Sequence, residues 1–310
     1  MTTVRVPGKV LLSGEYAVLY GATAVLVPVP RHLTATAASA PPDTPSSPVV
    51  QAARCLSIPD LRGYEAAHGV PHVQTDDSAF FATDNEGHRA KLGLGLSAAE
   101  AVATIALRYA CAGMDWQAER ASVLEHAMAA HSQAQQGLGS GADVAACASG
   151  APIRFRKAST GPAVAPIAPG ELTHCPSLAL HWSGQAADTR ALVRRFDDWA
   201  AATTPAKPLL HQLVTTADAL APAWFSEPEP QLFALLDEFA VAIEACAEAA
   251  GIPYLLPAHA RLASWAMRHG GRAKPTGAGG GDMVLLVGSL PLAQLGGLTI
   301  ELSPPYSGNP

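Results

Sequence analysis

The stretch Lys91-Leu92-Gly93-Leu94-Gly95-Leu96-Ser97-Ala98-Ala99-Glu100-Ala101-Val102-Ala103 constrains this chain more than any other. Two glycines separated by one residue lead to a serine, then to a run of strong helix formers that contains neither proline nor glycine. That order predicts a tight turn opening into a helix that continues to about Tyr109, with Ser97 at the N-cap or in the first turn. A helix start exposes unpaired backbone N–H groups and the positive end of the macrodipole, and glycine lets the backbone approach a ligand closely. The product is a cradle for phosphate. An ordinary loop-to-helix junction uses the same residues, so the choice rests on the rest of the chain. The turn is not a Walker loop, because no Gly-Lys-Ser/Thr closes it. Nor is it a dinucleotide fingerprint, because the third glycine is missing.

Three further glycine-bearing segments accompany it. Pro7-Gly8-Lys9 lies between the apolar strand pieces Val4–Val6 and Val10–Leu12, and a second turn follows at Ser13-Gly14, before Glu15-Tyr16. Lys9 is either a strand-edge charge that discourages aggregation or a cation that meets phosphate or a reacting hydroxyl. A helical pattern over roughly Trp116–Gln135 ends in Gln136-Gly137-Leu138-Gly139-Ser140-Gly141-Ala142-Asp143. Asp143, at the start of a new helix, is either its N-cap or an acceptor for a proton. Lys274-Pro275-Thr276-Gly277-Ala278-Gly279-Gly280-Gly281-Asp282 leads into the apolar strand Met283–Val287. A flexible linker would not run straight into such a strand; this loop brings backbone amides close to something.

At 310 residues the chain suits one large domain or two ordinary ones. A net charge of −6 argues against a general nucleic-acid or anionic-membrane surface, so an anionic ligand needs locally placed Lys and Arg. No apolar run reaches membrane-span length, and the N-terminus lacks a signal-peptide core. The five scattered cysteines, without a C-x-x-C pair, fit reduced thiols in the cytoplasm rather than disulfides or zinc. Strands are expected at Val25–Val29, Ala151–Lys157 and Leu178–Trp182, and helices from Thr189 to Trp199 and over 208–222, 230–249 and 257–269. Ala35–Pro48 reads as an exposed loop, 49–90 is poorly patterned, and the unpatterned span 158–170 is the expected domain boundary.

With these motifs in order, the chain resembles the GHMP kinase superfamily, the small-molecule kinases that include galactokinase, homoserine kinase and mevalonate kinase. Within it the likeness is greatest to the bacterial-type phosphomevalonate kinases. The matching segments are Pro7-Gly8-Lys9 to Gly14-Glu15-Tyr16, Lys91 with Gly93-Leu94-Gly95-Leu96-Ser97, His131 with Gln136 to Ala145, Trp182-Ser183-Gly184 with Thr189, Gly251-Ile252-Pro253, and Lys274 to Asp282.

The resemblance implies an α+β, two-domain GHMP kinase fold. Its N-terminal domain (1–165), which binds ATP and carries the catalytic residues, is like domain 2 of ribosomal protein S5, and its C-terminal domain (166–310) is ferredoxin-like. It implies ATP and Mg²⁺ as cofactors and transfer of phosphate to 5-phosphomevalonate, giving mevalonate 5-diphosphate in the isoprenoid pathway. Asp143 and Lys9 would be catalytic. Lys91, Gly93, Leu94, Gly95, Ser97 and Ala98 would bind ATP, with Ser97 on the metal. Tyr16, Ser140, Gly141, Thr189, Arg190, Gly277, Ala278, Gly279 and Gly280 would bind the acceptor.

For an anionic acceptor the expected clamps are Lys9, Lys91, Arg190 and Lys274, while Arg195 is expected on a solvated helix face. The partner is then a small anionic metabolite, with no nucleic acid or membrane, and monomer and homodimer both stay open. Some residues depart from the pattern. Leu96 replaces the first serine of the cradle. Ser132 stands where mevalonate kinases carry a metal-binding glutamate. Asp188 adds an acid near the acceptor segment, where it would repel a phosphate. A kinase for mevalonate or another small alcohol, and a nucleotide-binding paralogue without turnover, remain the alternatives.

Overall fold

The computed structural model describes residues 1–40, 46–84, 86–158, 161–202, 206–304 and 306. Its first sheet grows from two long apolar strands, β1 (Thr3–Ser13) and β2 (Thr23–Ala38), paired antiparallel. β1 is one continuous strand rather than two pieces, because a register shift between Pro7 and Gly8 absorbs the irregularity. Ser47 caps α1 (Pro48–Cys55) by accepting the Val50 N–H at 3.2 Å. The expected exposed loop is therefore strand as far as Ala38 and cap at its far end, and 41–45 lie outside the described residues.

The span 49–90, poorly patterned in sequence, holds α1, α2 (Arg62–His68), β3 (His72–Asp76) and the small hairpin of β4 (Phe81–Thr83) and β5 (Arg89–Lys91). These elements are too short to show a period. β3 pairs with the end of β2. The hairpin delivers the chain into α3 (Leu96–Cys111), whose residues from Ala98 to Tyr109 are all buried. Its alanines present almost no side chain, so β1, β2, α1 and two later helices, α4 (Arg120–Ala134) and α5 (Ala142–Ser149), pack around it. Buried Arg108 on α3 donates Nε and Nη2 to the Glu65 carboxylate at 2.7 and 2.9 Å. The expected helix from Trp116 starts later, at Arg120, after a turn in which Asp115 accepts the Gln117 N–H.

β6 (Ile153–Ala158) returns to pair with the start of β2, and β7 (Gly161–Pro166) pairs with β6. The span 158–170 is thus partly strand, with residue 165 inside β7. The second sheet is built from β8 (Leu178–Trp182), β9 (Arg272–Pro275), β10 (Met283–Val287) and β11 (Thr299–Leu302), in the order β11-β8-β10-β9, all antiparallel. Between β8 and β9 the chain forms α6 (Thr189–Ala202), α7 (Ala206–Ala223), α8 (Glu229–Ala249) and α9 (Pro257–Arg268).

Polar bonds join the two halves. Trp224 Nε1 donates to Ser13 Oγ at 2.9 Å, the Tyr20 hydroxyl to Asp197 Oδ1 at 2.8 Å, and the Thr23 N–H to Asp218 Oδ1 at 2.8 Å. The five cysteines are free, and no helix of the described residues is long and apolar enough to cross a membrane.

Candidate active site

The turn before α3 is shaped by its glycines. Gly93 and Gly95 have φ of 73° and 81°, left-handed values that side chains strain to adopt. Gly95 is the N-cap, and Ser97 lies in the first helical turn. β1 runs beside this turn, and the Lys9 N–H donates to the Leu94 carbonyl at 2.9 Å. The Lys9 side chain then crosses Gly95 so closely that a Cβ there would fall 2.7 Å from Lys9 Cε.

From the opposite side comes Asp143. Gly141 is the N-cap of α5 at φ 86°, and Asp143 occupies the first turn without capping it. Its Oδ1 lies 3.1 Å from Lys9 Nζ, with the lysine side chain 9% exposed and the aspartate 46% exposed. Burial pulls the Lys9 ammonium down, but the Asp143 carboxylate outweighs it and the pKa ends above the ordinary value. Lys9 therefore stays charged, and Asp143 keeps an open side. The Ser97 hydroxyl is 3.1 Å from His131 Nε2. Burial lowers the His131 pKa, against Asp143 and with help from Arg190 and Lys9.

The sites expected from the second half approach from another direction. The Tyr16 hydroxyl donates to the Ala278 carbonyl at 2.8 Å and its ring stacks on Phe196 at 4.2 Å, so the first motif and the third glycine loop are joined. Gly280 N–H donates to Tyr254 O at 3.2 Å, and Gly279 packs against the Tyr254 backbone. Gly277, at φ 77°, has open space where a side chain would be. Thr189 and Arg190 are exposed at the start of α6. Ser140 Oγ accepts the Ala142 N–H at 3.2 Å. Ala98 is fully buried, so only its backbone can serve a ligand. Lys91 is exposed at the end of β5, where its charge acts on Glu100.

One expectation changes. Lys274 is not a free clamp: its Nζ is bonded to the fully buried Glu15 carboxylate and, at 3.0 Å, to the Pro275 carbonyl. Arg195 is exposed on α6, as expected, and its Nε also donates to Ala250 O at 3.1 Å, with the guanidinium over Gly251. Exposed Asp188 also has a structural task, accepting the Ala191 N–H at 3.1 Å as the cap of α6. Sequence reasoning named His131 and Asp282 inside motifs without giving either a role; their contacts come from helices and loops distant in the chain.

A cavity of about 590 Å³ opens between the β4–β5 hairpin and the end of β8, lined by Phe81, Ala82, Trp182, Ser183 and Gly297. Another of about 630 Å³ lies beside α9, lined by Arg261, Trp265 and Arg268. Neither is lined by Lys9, Ser97 or Asp143.

No family model matches the chain. Phosphomevalonate kinase from Streptomyces sp. (strain CL190) is 28% identical, covering 91% of this chain and 88% of that protein. A Lin0012 protein from Listeria innocua superposes with a TM-score of 0.74 at 20% identity, over 93% of this chain and 91% of its own. Streptococcus pneumoniae phosphomevalonate kinase, solved with phosphomevalonate and AMPPNP, gives 0.71 at 17% identity over 93% and 92%. The chain has the two-domain α+β fold of the GHMP kinase superfamily, and its likeness within that superfamily is to phosphomevalonate kinase.

Proposed function

We propose that the chain is an ATP-dependent kinase of the mevalonate pathway that phosphorylates 5-phosphomevalonate. The observation that carries this is the Lys9–Asp143 pair, held at 3.1 Å beside the Gly93–Ser97 turn. Phosphoryl transfer asks a protein mainly for alignment and charge compensation. The amides of Gly93, Leu94, Gly95 and Ala98 cradle the nucleotide phosphates, with Lys91 at the rim. Lys9, kept charged, offsets negative charge as it builds between donor and acceptor oxygens. The open side of Asp143 takes a proton from the acceptor oxygen. Tyr16, Ser140, Gly141 and Gly277 to Gly280 shape the acceptor side, and exposed Thr189 and Arg190 receive its anionic end. The division into 1–165 and 166–310 assigns nucleotide to the first part and much of the acceptor to the second.

Mg²⁺ fits as an ion carried by the phosphates. No group of three His, Cys, Asp or Glu among the described residues could cage a metal, while Ser97 offers one hydroxyl at the turn. Bound there, it would neutralise phosphate charge.

The curated relative and the structural neighbour named as phosphomevalonate kinases support this acceptor. An ADP-release assay across 5-phosphomevalonate, mevalonate and other small alcohols tests it. Turnover on 5-phosphomevalonate at least about 10-fold above the others is expected, roughly the discrimination one buried polar group provides. Preference for an alcohol would move the assignment to another acceptor. ATP binding without ADP release on any acceptor would sink catalysis itself.

A further inference from the structure

The third glycine loop ends in a carboxylate that phosphoryl transfer leaves without a task. Asp282 has φ 59°, a value few side chains adopt, and its surroundings explain why it is held there. Its N–H donates to the Gln185 carbonyl at 2.8 Å, and its own carbonyl accepts the Ser183 N–H at 3.0 Å. Its Oδ1 accepts the Ala187 N–H at 3.0 Å. One residue thus closes the whole 183–187 turn.

The same carboxylate faces the first half of the molecule. A Cβ placed on Gly93 would fall 2.5 Å from Asp282 Cγ and Oδ2. Gly93 is therefore bare for two reasons, its left-handed φ and the acid lying against it. Burial raises the Asp282 pKa, opposed by the Ala187 N–H and by the nearby Lys9 charge. What Asp282 touches on one side leads within four residues to Ser97. What it touches on the other leads at once to Thr189 and Arg190. A residue needed only to close the 183–187 turn would have no reason to press on Gly93.

We propose that Asp282 is a positioning residue that holds the Gly93 turn and the 183–187 turn in register, so that nucleotide at the first and an anionic acceptor at the second bind cooperatively. The cooperative part rests on the kinase reading above; the mechanical part does not.

The full chain is titrated with 5-phosphomevalonate, with and without a non-hydrolysable ATP analogue, as wild type, Asp282→Asn and Asp282→Ala. In wild type each ligand should tighten the other by the same factor, about 5-fold or more. Asp282→Asn keeps a carbonyl for the Ala187 N–H and should retain most of that factor. Asp282→Ala should bring it to about 1, because no coupling free energy then remains. Amide hydrogen exchange supplies the readout that is independent of the acceptor: Asp282→Ala should speed exchange in both 91–97 and 183–190, and Asp282→Asn in neither. The steric arm uses Gly93→Ala, which should cost clearly more in wild type than in an Asp282→Gly background, where only the strain of the left-handed φ remains.

Wild-type coupling that survives Asp282→Ala overturns the proposal, as does an exchange change confined to one of the two segments. Ligands that bind wild type without coupling overturn its cooperative part. If wild type binds no 5-phosphomevalonate at all, the acceptor assignment fails instead, and exchange with the Gly93 arm still decides whether Asp282 ties the two turns.

Discussion

Two lysine–carboxylate pairs form among the described residues, and they are placed in opposite ways. Lys9 meets Asp143 with the aspartate side chain 46% exposed, so one partner keeps a face for a ligand. Lys274 meets Glu15 with side-chain exposures of 10% and 0%, so neither has a face to offer. Burial raises the Glu15 pKa against the pull of Lys274, and Glu15 Oε2 has no hydrogen-bond partner. The first pair stays open on one side, as the proposed function needs. The second staples the turn after β1 to β9. Residue type does not distinguish them; access does.

The largest expected effect tests the staple. Lys274→Met leaves a buried carboxylate without its counter-ion and should cost about 3–5 kcal/mol of stability in denaturant unfolding. Changing both partners to methionine should recover much of that loss, since well-packed apolar replacements are often near neutral. A single variant as stable as wild type would break the contrast. Next is Asp143→Asn, expected to keep nucleotide affinity close to wild type while lowering kcat about 100-fold or more. Unchanged kcat would make the open pair as structural as the buried one.

Gly95→Ala sharpens the comparison from beneath. The new methyl strains a left-handed backbone and displaces Lys9, so a stability loss of about 1–3 kcal/mol is expected. A fall in kcat of about 10-fold should accompany it, as for a misplaced reacting group. Loss of stability without loss of kcat would separate Lys9 from the reaction.

Acid should give the smallest effect. Buried His259, whose Nδ1 accepts the Leu256 N–H, has its pKa lowered by burial. Its contribution is complete above the unfolded value of 6.5 and is lost as pH falls from there through the folded value. Unfolding free energy followed from pH 7.5 downwards (about one unit above the unfolded pKa) should fall more steeply in wild type than in His259→Asn. Parallel curves would remove His259 from the pH dependence.

What the sequence disclosed was local. Glycines announced the turns at 93–95, 139–141 and 277–281, and largely apolar runs announced β8, with one histidine, and β10 with their observed limits. Three-residue elements such as β4 and β5 had no room for a period, and β7 was masked by its glycine and two prolines. The partner of Lys274 was hidden for another reason: Glu15 lies 259 residues away, and nothing in the intervening chain encodes the meeting, whereas Lys9 was expected near Asp143 only through the family resemblance. The capping role of Asp188 was not legible, because a cap and a free acid share one letter.

The alanine core of α3 has a mechanical consequence. From Ala98 to Tyr109 every position is buried, with neighbours on all sides at close packing. A rod clamped along its length cannot swing, so the turn at its tip behaves as an anvil. On the proposed function, any stroke that brings donor and acceptor together would fall to the exposed start of α6, with Thr189 and Arg190.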